Sequence, residues 1–159
     1  MAAPGLSPFH PAALLATWFG SGLLPKAPGT WGSLAALPCA ALIAWIGGPW
    51  MLLAASLAVF LVGLWASQRY AVACGKADPG AVVIDEVAGQ WLALVPVALE
   101  WTLYPLAFAA FRFFDIVKVW PANWMDRNLK GGVGIMADDM VAGLYAAALC
   151  YGAAATLGA

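Results

Sequence analysis

Residues 87–111 read VAGQWLALVPVALEWTLYPLAFAAF, an apolar stretch whose one charge is Glu100. As one helix it would cross a bilayer core, since about 20 apolar residues span about 30 Å. Its middle points the other way. Glu100 is followed by Trp101 and Thr102 and flanked by Pro96 and Pro105. A carboxylate at the bilayer centre costs on the order of 2.5–3.5 kcal/mol on insertion scales. A turn at 100–102 removes that cost and splits the stretch into two short helices. It also returns the chain to its starting side, so every other charge faces one compartment. The short arms weigh against this hairpin, which is nonetheless the preferred reading.

Working outward, the other apolar runs cover about 34–47, 50–67 and 140–158. The first is long enough only if it begins near Trp31, and Gly47-Gly48-Pro49 after it reads as a tight turn. Segments 31–47 and 50–67 are therefore expected to form a second helical hairpin. Composition agrees: the chain is 64% hydrophobic and 9% charged, against roughly 25% charged for a soluble domain. Lipid is expected to be part of its solvent. The net charge of -1 supplies no basic stripe for phosphates, so no nucleic-acid partner is expected. Nine tryptophans, several near the ends of apolar runs, fit interfacial anchors. Cys39, Cys74 and Cys150 have no CxxC spacing and read as buried small hydrophobes. The N-terminus lacks the basic start and cleavage site of a signal peptide and is expected to be retained.

The charges cluster in two segments, 69–86 and 112–139, with Lys26 just ahead of the first helix. Six of the seven Lys and Arg lie in these segments, a bias that marks that side as cytoplasmic. The expected fold class is thus all-α: a polytopic membrane helical bundle of about five membrane-embedded helices, some short. Residues 1–159 form a single domain with a charged active site at one membrane face.

Within the polar segments a pattern repeats. DEVAG occupies 85–89 and DMVAG occupies 139–143, with a second carboxylate beside each aspartate, Glu86 in one case and Asp138 in the other. An acid near a helix start can cap it and complement its dipole, but that explains one acid per helix. In both copies a glycine follows four residues after the aspartate, on the same helical face, where it admits a close neighbour. Four carboxylates above small residues make a hard oxygen site suited to Mg²⁺. Asp85, Glu86, Asp138 and Asp139 are the candidate metal ligands.

Three further stretches accompany the acids. In FRFFDIVKVWPANWMDR, residues 111–127, Arg112, Asp115 and Lys118 are spaced to share a helical face, and Pro121 ends that helix or starts the next. Asp126-Arg127 and Lys130 follow, then Gly131-Gly132-Val133-Gly134, a glycine-rich loop that can cradle phosphate. In PKAPGTWGSLAALP, residues 25–38, Lys26 supplies a cation and Thr30 or Ser33 can cap the first helix. Lys76, Asp78, Pro79 and Gly80 form a turn whose role can be simply to shape the connection.

Together PGTWGSLAALP, DPGAVVIDEVAGQWLAL, FRFFDIVKVWPANWMDR and GGVGIMADDMVAG resemble the phosphatidylglycerophosphatase A family of bacterial membrane lipid phosphatases. They come in family order and cover most of residues 25–143. The resemblance implies Mg²⁺-dependent removal of the terminal phosphate from phosphatidylglycerophosphate, giving phosphatidylglycerol, at the inner face of the bacterial cytoplasmic membrane. Phosphate-monoester hydrolysis needs neutralised phosphoryl oxygens and a positioned nucleophile. Lys26, Thr30, Arg112, Lys118, Arg127 and Gly132 are the candidate substrate contacts. Asp115 or Asp126 is placed to orient or deprotonate water, and Asp85 and Asp139 are counted as catalytic through the metal. A covalent aspartyl-phosphate is the other route. One departure is Val119, where the family usually has proline. A histidine-nucleophile phosphatase is set aside, because the single His10 lies in a Pro-flanked N-terminal stretch. A CDP-alcohol phosphotransferase and a divalent-cation carrier are the alternatives. The first has a spaced aspartate pattern that does not fit here. The second would be expected to hold its acids deeper inside the spans.

Overall fold

In the computed structural model, residue 3 and residues 5–158 are described; the reading of a retained N-terminus falls partly on residues outside that set. Six α-helices are described: α1 Pro11–Ala16, α2 Pro28–Cys74, α3 Ile84–Leu94, α4 Tyr104–Val117, α5 Ala122–Asn128 and α6 Gly131–Leu157, with short 3₁₀ turns and no strand among the described residues.

The long α2 is bent back on itself. Gly48 has φ 69° and ψ -166°, a conformation open to glycine because it has no Cβ. Two contacts show how far the chain reverses. Trp91 Nε1 donates to the Ala36 carbonyl at 2.9 Å, and Ser56 Oγ donates to the Ala88 carbonyl at 2.8 Å. Residues 36 and 56 thus meet the same helix three residues apart, whereas a straight helix would part them by about 30 Å. The first arm, 28–47, and the second, 49–74, form the expected hairpin. The second runs seven residues beyond the apolar run, to Cys74, because nothing breaks it until Gly75 at φ 63°.

The stretch quoted at the outset is also a hairpin. α3 ends at Leu94, Val95–Val97 and Trp101–Leu103 are 3₁₀ turns, and α4 runs back. Glu86 at the top of α3 faces Arg112 at the end of α4, and Glu100, Trp101 and Thr102 are exposed at the turn. At 1.5 Å per residue α3 and α4 are only about 16 and 21 Å long. Two helices, Pro28–Cys74 and Gly131–Leu157, are long and apolar enough to cross a membrane, with mean hydropathy 2.0 and 1.6.

Both hairpin tips gather at one end of the molecule. Ala44 and Leu52 pack in one cluster with Val97, Ala98 and Leu103, and with Cys150 and Ala154 from α6. At the other end Ile84, Ala88 and Met136 pack against α1 and the far part of the second arm. The outer surface is apolar along its length: Trp45, Trp50, Leu57, Leu61, Leu144 and Tyr151 are all exposed. Large apolar side chains exposed in this number mark a surface that meets a partner or a membrane.

Two local expectations are corrected. Thr30 and Ser33 do not cap the first helix: Ala27 is the N-cap, with no side-chain cap bond, and Ser33 Oγ donates to the Gly29 carbonyl within the helix. The glycine run 131–134 is not a loop but the first turn of α6. Its helical start lets two backbones touch, since a Cβ on Gly132 would run into the Leu64 carbonyl and one on Gly134 into the Leu129 carbonyl.

Candidate active site

The two matched pentapeptides cross face to face. A Cβ on Gly143 would lie 2.6 Å from the Gly89 carbonyl oxygen, and one on Gly89 would lie 2.6 Å from the Asp139 carbonyl oxygen. Missing side chains at both positions let α3 and α6 approach at backbone contact. One turn above that contact stand the two aspartates, and Asp85, Glu86 and Asp139 offer carboxylate oxygens all within 4.8 Å of one another.

The local context of the two copies differs. Asp85 and Glu86 sit in the first turn of α3, where the helix dipole favours negative charge. Asp139 lies two turns inside α6, which begins eight residues before it. A capping role near a helix start therefore does not account for Asp139, and the earlier start of α6 is the reason.

Several of these oxygens have no partner. Asp85 Oδ1, Glu86 Oε2 and Asp139 Oδ2 are buried without a hydrogen bond, although a buried charge left unpaired is among the costliest features a protein can carry. Arg112 stands behind them. Its Nη1 lies 2.6 Å from Asp115 Oδ2 and 3.9 Å from Glu86 Oε1, but it too meets no oxygen in hydrogen-bond alignment. Asp115 is close enough to Glu86 and Asp139 for their charges to interact.

Asp138 faces elsewhere. It accepts from Lys118 Nζ at 2.7 Å, and the same nitrogen donates to Asp126 at 2.5 Å. Lys118 does not continue the face of Arg112 and Asp115, because α4 ends at Val117 and Lys118 takes φ 49° beyond it. Burial pulls its ammonium toward the neutral form, and the two carboxylates overcome that and hold its pKa above the ordinary lysine value. Asp78 follows the simpler rule: burial raises its carboxyl pKa, and Lys118 offsets part of the rise.

A cleft of about 500 Å³ opens over this group, floored by Asp85, Glu86, Asp138 and Asp139, with Ala77, Asp78 and Gly80 on one side and Asp126, Arg127 and Lys130 on another. Seven of the chain's eight acidic residues line it, against Lys118, Arg127 and Lys130. The eighth acid is Glu100, at the far tip. Such an excess of negative charge repels a phosphate unless further cations enter, and hard carboxylate oxygens without partners fit a hard divalent ion.

Of the other residues singled out from sequence, Asp115, Asp126 and Arg127 line the cleft, and Arg112 supports it from behind. Lys26 is exposed and Thr30 half-buried, and neither lines it, although Pro28 and Gly29 of the same turn do. Gly132 spends its N–H on Gln68 Oε1 at 2.8 Å, while Gly131 and Gly134 line the cleft. Sequence reasoning passed over Asp78 and Lys130 as site residues. Each precedes a Pro-Gly or Gly-Gly turn, a signal too common to single them out. It also passed over Gln90, fully buried one turn below Glu86 with both amide atoms unpartnered; a lone amide in an apolar helix was the available hint.

A sequence profile described as Phosphatidylglycerophosphatase A matches residues 14–154. A phosphatidylglycerophosphatase A of Escherichia coli (strain K12) is 42% identical over 149 residues, covering 91% of this chain and 83% of the relative. One of Haemophilus influenzae is 40% identical over 142 residues, covering 89% and 87%. A Bacteroides thetaiotaomicron relative, 41% identical over 145 residues and covering 83% and 86%, carries a provisional phosphatidylinositol-3-phosphatase name. No solved structure matches.

Proposed function

The chain belongs to the phosphatidylglycerophosphatase A family and is by that membership a lipid phosphatase. We propose that it converts phosphatidylglycerophosphate to phosphatidylglycerol and inorganic phosphate, with Mg²⁺ held by Asp85, Glu86 and Asp139. The observation that carries the metal is the convergence of three carboxylates with unpartnered buried oxygens on two helices in backbone contact. A bound Mg²⁺ would neutralise phosphoryl oxygens and favour attack on phosphorus.

The chain's own residues supply the rest. Lys118, fixed by Asp126 and Asp138, places a positive charge on the cleft wall beside Asp138, where a phosphoryl group would enter. Asp115 lines the cleft with one oxygen turned to Arg112. That pairing orients its carboxylate, which is the preferred group to accept a proton from attacking water. Asp126 is tied to Lys118 and is better suited to holding that lysine. Arg112 holds Asp115 and Glu86 in register from behind.

Placement of the cleft at one end of an apolar body fits a lipid substrate, whose head group enters while its acyl chains stay in the bilayer. The two arms of α2 and helix α6 are about 30, 39 and 40 Å long and are read as crossing the membrane. The shorter α3 and α4 are embedded between them, giving the five-helix arrangement of a bacterial cytoplasmic membrane protein with its cleft on the cytoplasmic side. A cysteine introduced at position 100 should label from outside intact cells; labelling only after permeabilisation would reverse the orientation. Activity is tested by phosphate release from phosphatidylglycerophosphate by the detergent-purified chain. Release should require Mg²⁺ and stop with chelator, and equal rates with and without chelator would rule the metal out.

A further inference from the structure

The proposed substrate carries two phosphates, and the acid cluster accounts for one. Of the cations around the cleft, Lys118 is committed to Asp126 and Asp138, and Arg112 to Asp115. Arg127 and Lys130 are different. Both line the cleft, both are exposed, and neither has a carboxylate in ion-pair range among the described residues. Arg127 lies in the last turn of α5 and Lys130 is the N-cap of α6, so they sit together on one rim. Along α6, Lys130 stands about 14 Å from Asp139 at 1.5 Å per residue, a distance the length of a lysine side chain reduces.

Building on the substrate reading above, we propose that Arg127 and Lys130 bind the non-reacting phosphodiester of a two-phosphate lipid, and so select it over lipids with a terminal phosphate alone. The diester keeps its charge throughout the reaction. It cannot lie among seven acids, and the unpaired cations at the rim are where it finds compensation. A guanidinium fork matches two phosphate oxygens, and an ammonium adds a point charge. The same chemistry is offered by anionic head groups of the surrounding bilayer. Cations that line the cleft favour the bound substrate as the ligand.

The test compares the wild type with an Arg127→Gln/Lys130→Gln variant in neutral-detergent micelles. The substrates are phosphatidylglycerophosphate and phosphatidic acid with matched acyl chains, the second lacking the diester. Wild type should prefer the two-phosphate lipid, and the ratio of the two kcat/KM values should fall about 10- to 100-fold in the variant, the scale of a lost charged hydrogen bond. Because both side chains are exposed, the variant's thermal transition should match wild type, and Arg127→Lys should restore part of the ratio. An unchanged ratio in an active variant overturns the proposal, as does an equal loss on both lipids or a wild type without preference. A loss seen only on vesicles containing anionic lipid would reassign the pair to the bilayer surface. A wild type inactive on phosphatidylglycerophosphate would instead bring down the substrate reading, and this proposal with it.

Discussion

Aligning DEVAG with DMVAG sets Asp85 against Asp139 and Gly89 against Gly143, but it does not align the second acids. Glu86 follows its aspartate, whereas Asp138 precedes its own. On a helix those flanks lie about 100° to either side of the shared position, so the second acids point in opposite senses. Glu86 turns to Arg112 and joins the three-carboxylate cluster; Asp138 turns to Lys118. Equivalent positions build the centre, and the asymmetric flanks connect that centre to two different cations. A near-repeat therefore identified the crossing of two helices without implying that its members do equal work.

The sharpest way to break this comparison is to neutralise the shared positions one at a time. Asp85→Asn and Asp139→Asn should each lower phosphate release by about a thousandfold, the upper end for removing an electrostatic stabiliser. Both should shift the Mg²⁺ dependence to higher concentration. Circular dichroism in detergent should remain native, since each change removes a buried charge. Normal turnover in either variant would remove that residue from the metal set.

The flanking acid should behave differently. Asp138→Asn leaves the three-carboxylate cluster intact and frees Lys118 from one of its two partners. Supporting residues of this kind cost about 10- to 100-fold, and the loss should appear in KM for the phospholipid more than in the Mg²⁺ titration. If Asp138→Asn matched Asp139→Asn in both measurements, the two acids would share one role and the division between centre and flank would fail.

Much of the crossing was legible because it depends on one-turn spacing. Asp85 to Gly89 and Asp139 to Gly143 place each acid above its own glycine whatever the tertiary fold. Both hairpins were legible too, through Gly48 and Glu100, which act locally. Long-range pairing left no trace in sequence. That Lys118 leaves its helix and bonds Asp138, twenty residues on, follows from its φ of 49°. Asp126 likewise read as a free base until the fold brought Lys118 to it. The Gly131–Gly134 run misled for a related reason. Glycines serve loops and close helix contacts equally well, and only the Leu64 backbone beside Gly132 decides which.

The smallest expected effects separate close packing from helix preference on a single helix. Gly143 and Gly152 both lie in α6, but a methyl at 143 would sit 2.6 Å from the Gly89 carbonyl oxygen while one at 152 would meet nothing within 4 Å. Gly143→Ala forces α3 and α6 apart, an overpacking cost of about 1–3 kcal/mol, read as a lower thermal transition in detergent. It should also weaken Mg²⁺ dependence of activity, because Asp85 and Asp139 ride on the separated helices. Gly152→Ala gains helix propensity with no clash, up to about 1 kcal/mol, and should leave turnover and metal dependence alone. Equal stability changes at the two sites would mean that α3 and α6 do not meet at their glycines, and the shared geometry of the two pentapeptides would go with them.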